Sequence, residues 1–144
     1  MKKQIIISAV IGVFFLFSSR ILWAQQQTWK DTLNHLQQIV VSKANYIGKP
    51  FSVLEGDLKF KIKSFSPFGA GNRYEETSTT FYFIPIRKHK DFSYPRLRIF
   101  WIHPLDMRIS DSLYSKDTKN LGAWNKETGA FYSSAIISDI RAVQ

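Results

Sequence analysis

Three histidines, His35, His89 and His103, are the side chains best suited to proton transfer or metal binding near neutral pH. No two of them stand at metal-ligand spacing, and no HExxH or equivalent occurs. His35 falls on or beside a helical apolar stripe, which makes it a packing residue. His89 sits between Lys88 and Lys90, in what reads as a solvated loop. His103 shares a strand face with Trp101 and precedes Pro104, the position of a histidine at the edge of a core. Glu75 and Glu76 are adjacent, so on a strand they face opposite ways and cannot work as an acid–base pair. Asp106, Asp111, Asp117 and Asp139 are scattered. "FGAGN" lacks the strand and helix that frame a dinucleotide loop, and "YIGKP" has Pro50 where a phosphate loop needs Ser or Thr. No GxSxG elbow is present. These absences weigh against an enzyme and against any cofactor or metal. A hydrolase of an envelope polymer is the minor alternative, and its mark would be His103 converging with a carboxylate.

Basic side chains offer a different chemistry. In "RLRIFWIHPLDMR", strand geometry sends Leu97, Ile99, Trp101 and His103 to one face and Arg96, Arg98, Phe100 and Ile102 to the other. The second set turns apolar halfway, so the strand should begin with one wet face and end with both covered. Lys59, Lys61 and Lys63 alternate with Phe60 and Ile62 in "KFKIKSF". Together with Arg87 and Lys88, they would join Arg96 and Arg98 on one wet sheet face. Lys59, Lys61, Lys63, Arg87, Arg96 and Arg98 are therefore the candidate binding residues for an anionic partner. The plainer reading of the same residues is a solvated sheet face that resists edge-to-edge aggregation. Trp101, Trp124, Phe131 and Tyr132 would suit a sugar-binding groove, but in a small cysteine-free domain large aromatics chiefly fill the core.

The elements that must carry these residues can be read from periodicity. "TWKDTLNHLQQIVVSKANYIGKP" predicts a helix opened by Thr28 and Asp31 as an approximate capping box, with Trp29, Leu33, Leu36 and Val40 as its stripe. Gly48 and Pro50 require it to end, near Ala44. "PFSVLEGDL" offers a short second helical turn. From Lys59 the period becomes two, predicting a strand through Phe65. "SPFGAGNR" is a loop. "TSTTFYFIPIRK" is a second strand with Pro85 near its end, and residues 79–103 form a long hairpin with a third. "LDMRIS" would continue as a fourth strand after Pro104, "DSLYSKDTKNLGAWNKETG" reads as a polar connection, and "AIISDIRAV" closes the chain as a strand. Tyr132, Ile136 and Ile140 also fit a helix there. The fold class that results is α+β, an N-terminal helix packed on an antiparallel sheet of about four to five strands in a two-layer sandwich.

The N-terminus, "MKKQIIISAVIGVFFLFSSRILWAQQQTW", has the layout of a secretory signal peptide: Lys2 and Lys3, an apolar run from Ile5 to Phe17, and Leu22 and Ala24 before the cleaved bond. The run is short against the roughly 20 residues of a spanning helix, and Arg20 interrupts it. The expected organisation is a signal peptide over residues 1–24 and one exported domain over 25–144, periplasmic or secreted, with no transmembrane segment after processing. No cysteine occurs, which excludes disulfides, thiolate metal sites and a lipid-bearing cysteine. Net charge is +9, and loss of Lys2, Lys3 and Arg20 leaves 17 basic against 11 acidic residues, or +6. Such a domain is drawn to acidic polymers or acidic proteins in a salt-dependent way. Nucleic acid fits neither the compartment nor any motif present.

The segment "NYIGKPFSVLEGDLKFKIKSF", residues 45–65, resembles one that recurs in small exported proteins of Bacteroidetes type, and the closing "YSSAIISDIRAV" is similar too. The resemblance implies export and a single domain, and it transfers no functional residue. The expectation is a non-catalytic binding or accessory domain that docks to an envelope protein or anionic envelope polymer through a basic sheet face or an adjoining apolar groove. An inhibitor or immunity-type protein that blocks one specific partner is the alternative.

Overall fold

The computed structural model describes residues 29–84 and 94–143. The expected signal peptide, Pro85, Arg87, Lys88 and His89 lie outside them. The chain divides into two compact units, Met1–Asp31 and Thr32–Gln144. Of the first only residues 29–31 are described, as helix; the fold below is that of the second.

Residues 29–41 are helical (α1), with His35, Leu36 and Ile39 buried along one side. A 3-10 turn at Lys43–Asn45 follows, and Gly48, with φ of 77°, takes the left-handed conformation that lets the chain reverse. Pro50 then starts α2, Phe51–Asp57, whose Phe51 and Leu54 are buried. Four antiparallel strands form one sheet in the order β1-β2-β3-β4: Ser64–Phe68, Glu75–Tyr82, Arg96–Asp106 and Ile137–Val143. Two helices, α3 (Met107–Ser115) and α4 (Lys126–Ser133), lie between β3 and β4 in sequence. Phe65, Phe81, Leu97, Ile99, Trp101, Ile137 and Ile140 of the sheet share one core with Leu36 and Ile39 of α1, Phe51 and Leu54 of α2, Leu113 of α3 and Tyr132 of α4. The helices thus form one layer and the sheet the other, the α+β sandwich expected from the sequence.

Several local expectations are corrected. The ladder begins at Ser64, opposite Tyr82, and not at Lys59. Residues 59–63 keep the alternation, with Ile62 buried and the three lysines exposed, but among the described residues the last tie to β2 is Lys63 N donating to Tyr82 O at 2.8 Å. The chain also kinks there: Ile62 and Phe65 are both buried although three positions apart, which breaks strand parity. "LDMRIS" is no fourth strand, because Leu105 and Asp106 finish β3 and Asp106 caps α3, its side chain accepting from Arg108 N at 2.9 Å. The polar connection holds α3 and α4, the latter capped by Asn125, which accepts from the backbone N–H groups of Glu127 and Thr128. Tyr132 belongs to α4, whereas Ile137 and Ile140 lie in β4, so the ambiguity of the C-terminal stretch resolves into a helix followed by a strand.

Both outer strands are flanked. Phe65 N donates to Gly122 O and Trp124 N to Lys63 O on the β1 side. Gly48 N donates to Ile137 O and Ile137 N to Lys49 O on the β4 side. Gly122 has φ of 66°, and a Cβ there would stand 2.1 Å from Phe65 O. Only glycine fits that crossing.

Candidate functional site

On the sheet face turned away from the helices, register sets three rows. Ser64, Tyr82, Arg96 and Val143 form one, Ser66, Thr80, Arg98 and Arg141 the next, and Phe68, Ser78, Phe100 and Asp139 the third. The Arg98 guanidinium lies 4.4 Å from the centre of the Phe68 ring and 5.3 Å from that of Phe100, and Arg141 lies 4.5 Å from Phe100. Cations over ring faces are attracted by the ring quadrupole and are held in place. Arg98 also donates to Ser78 Oγ through Nε and Nη2 at 3.1 and 3.0 Å. Asp139 accepts from Arg141 at 3.0 Å and from Lys43 at 2.5 Å, so one carboxylate serves two cations and its pKa is lowered, by the Lys43 hydrogen bond first. Phe68 is half exposed.

The expected junction of lysines and arginines does not form. Lys61 and Lys63 line a groove of about 590 Å³ with Lys126, Trp124, Asn125 and Gly129 at the start of α4. They sit beside the helix layer, away from Arg96 and Arg98, because of the kink ahead of Ser64. Lys59 is exposed, its backbone N–H donating to His35 Nε2 at 3.1 Å. The six candidate residues therefore separate into Arg96 and Arg98 on the sheet, Lys61 and Lys63 in the groove, Lys59 beside α1, and Arg87 outside the described residues.

His103 is exposed, a correction to its expected place at the core edge. Ser78 faces Phe100 while Glu76 faces Leu105, so two steps along β2 match five along β3. The surplus bows out through His103 and Pro104, where a missing N–H costs nothing. The end of this strand is also not covered on both faces: Ile102 is 46% exposed.

The same irregularity turns Glu76 into the core, where it is fully buried. Tyr132 Oη donates to its two carboxyl oxygens at 3.0 and 3.1 Å, and the Thr79 hydroxyl donates to Oε1. Trp101 Nε1 in turn donates to Thr79 Oγ1 at 2.9 Å. Burial pushes the Glu76 carboxyl up to about 6, against hydrogen bonds, that of Thr79 foremost, that favour the carboxylate. Tyr132 is driven upward by burial and by the neighbouring Glu76 charge. Sequence reading saw that Glu75 and Glu76 diverge but not which one is buried, since plain alternation puts Glu76 with Ser78. His35 is buried with Nε2 bonded and Nδ1 without a partner among the described residues, and burial lowers its pKa.

Trp101 and Tyr132 are core residues, stacked with ring centres 5.8 Å apart, and Trp124 stacks on Tyr132 at 5.9 Å. Among the described residues no three His, Asp or Glu side chains gather as a metal site, and no helix is long and apolar enough to cross a membrane. The chain matches no protein-family model, no curated protein and no solved structure.

Proposed function

We propose that the protein is a non-catalytic exported domain that docks to an anionic component of the cell envelope through the sheet face bearing Arg96, Arg98 and Arg141. The observation that carries this reading is the interleaving of Arg98 and Arg141 with Phe68 and Phe100. Stacked guanidinium groups have already lost part of their rotamer freedom, so an anionic partner meets donors that are preorganised. The signal-like N-terminus and the positive charge that survives its removal support the compartment and the sign of the partner. The test is retention of envelope components by the purified protein and by its Arg98→Gln/Arg141→Gln variant, washed at rising salt. The reading requires a component held by the first, released by salt, and lost by the second.

A further inference from the structure

The groove at the start of α4 contains three cations that nothing answers among the described residues. The side chains of Lys61, Lys63 and Lys126 make no ion pair or hydrogen bond among the described residues, and Glu55 is the one acid lining the groove with them. Leu58, Phe60 and Ile62 give it an apolar floor. The Trp124 indole N–H, beside Gly129, has no acceptor among the described residues. A backbone feature accompanies them. Lys63 O accepts from Trp124 N and Phe65 N donates to Gly122 O, so residues 122–124 run antiparallel beside the start of β1 through a single bridge, Ser64 with Ala123. At Asn125 the chain leaves this pairing to begin α4. Beyond Trp124, residues 60–62 therefore have no strand neighbour among the described residues, and none of their backbone N–H or C=O groups is bonded to the described chain. An edge that lacks its partner beside three free ammonium groups fits an extended acidic segment.

We infer that this groove binds an acidic peptide, which continues the line of residues 122–124 along residues 60–62 and sets carboxylates against Lys61, Lys63 and Lys126. The chemistry favours peptide over acidic sugar. Sugar sites stack a ring on a free aromatic face, but Trp124 has Tyr132 against one face and Phe51, Phe65 and Phe81 within 6.2 Å. Hydroxyl recognition also needs planar polar side chains, and the Asn125 carbonyl is already used as the α4 cap. The inference does not depend on the sheet-face reading.

The probe is a labelled hexapeptide of alternating Glu and Val, titrated against the purified protein by fluorescence anisotropy at low and at physiological salt. Binding should weaken about tenfold in Lys61→Gln/Lys63→Gln/Lys126→Gln, as three partly exposed pairs are lost. Gly129→Leu should weaken it as well without touching any charge. The nearest atom to a Cβ there is on Trp124 at 3.7 Å, so the helix accepts the side chain while the groove fills. Arg98→Gln/Arg141→Gln should bind like wild type. Equal affinity for the peptide with Gln in place of Glu overturns the inference. So does no binding, binding of polygalacturonate in place of the peptide, or loss of peptide binding in the arginine variant, which would move the site to the sheet.

Discussion

On the outer face of the sheet, Arg98 and Arg141 rest over Phe68 and Phe100 with their charges reachable by water. On the helix side Glu76 is sealed from solvent, with Tyr132 and Thr79 donating hydrogen bonds to it and no cation in contact among the described residues. Both regions place a charged group among aromatic rings, yet the outcomes differ. An arginine keeps its charge because its stem covers apolar surface while the head stays hydrated. A carboxylate without water must be matched by donors, and where they fall short it holds its proton to higher pH. The outer face is thus built to present charge, and the core tolerates one buried carboxyl at a cost.

Breaking the core side of that contrast should have the largest effect. Tyr132→Ala removes a fully buried ring that packs on Phe65, Phe81, Trp101 and Trp124 and leaves Glu76 without its phenol. We expect a loss of about 4 kcal/mol by urea unfolding. Gly122→Ala, forced against Phe65 O in a left-handed conformation, should cost about 3 kcal/mol in the same assay.

Glu76 gives a pH signature of known sign. Its pKa rises from 4.5 to about 6 on folding, so the folded state holds the extra proton between those values. Its stabilising contribution is full below about pH 4.5 and lost as pH rises through about 6, a change of about 2 kcal/mol. His35, with its pKa lowered by burial, acts oppositely, favouring the fold above pH 6.5 and weakening it as pH falls. The difference between wild type and Glu76→Gln isolates the carboxyl. The variant should lose the part of the pH 4.5–6.5 dependence that falls with rising pH, and an unchanged profile would place the charge elsewhere.

The outer face and the exposed lysines beside the helices should respond weakly. Arg98→Gln gives up two hydrogen bonds to Ser78 and two ring contacts, at about 1 kcal/mol. Lys59, Lys61 and Lys63 changed together to Gln should shift stability by less than about 0.5 kcal/mol, as should His103→Ala. A large loss from any of these would show them to be buried or paired.

The difference between the two faces also tracks what the sequence made legible. Leu97, Ile99 and Trp101 alternate as buried residues, and Arg96 and Arg98 as the opposite face, because a regular ladder turns period two directly into facing. The layering of helices on an antiparallel sheet followed from the same periods. Legibility failed wherever the ladder is irregular. The kink before Ser64 carried Lys61 and Lys63 from the sheet to the groove, and the bow in β3 exposed His103 and buried Glu76. Neither has a local residue signature beyond Pro104. The caps at Asp106 and Asn125 were readable signals for α3 and α4, but short helices with few apolar positions look like polar connection when composition is weighed first.

The most direct test of the docking claim is the envelope-extract retention experiment, comparing wild type with Arg98→Gln/Arg141→Gln across a salt series by mass spectrometry. The account predicts a component that wild type holds at low salt, releases as salt rises, and that the variant fails to hold at any salt. A component retained equally by both proteins would contradict it.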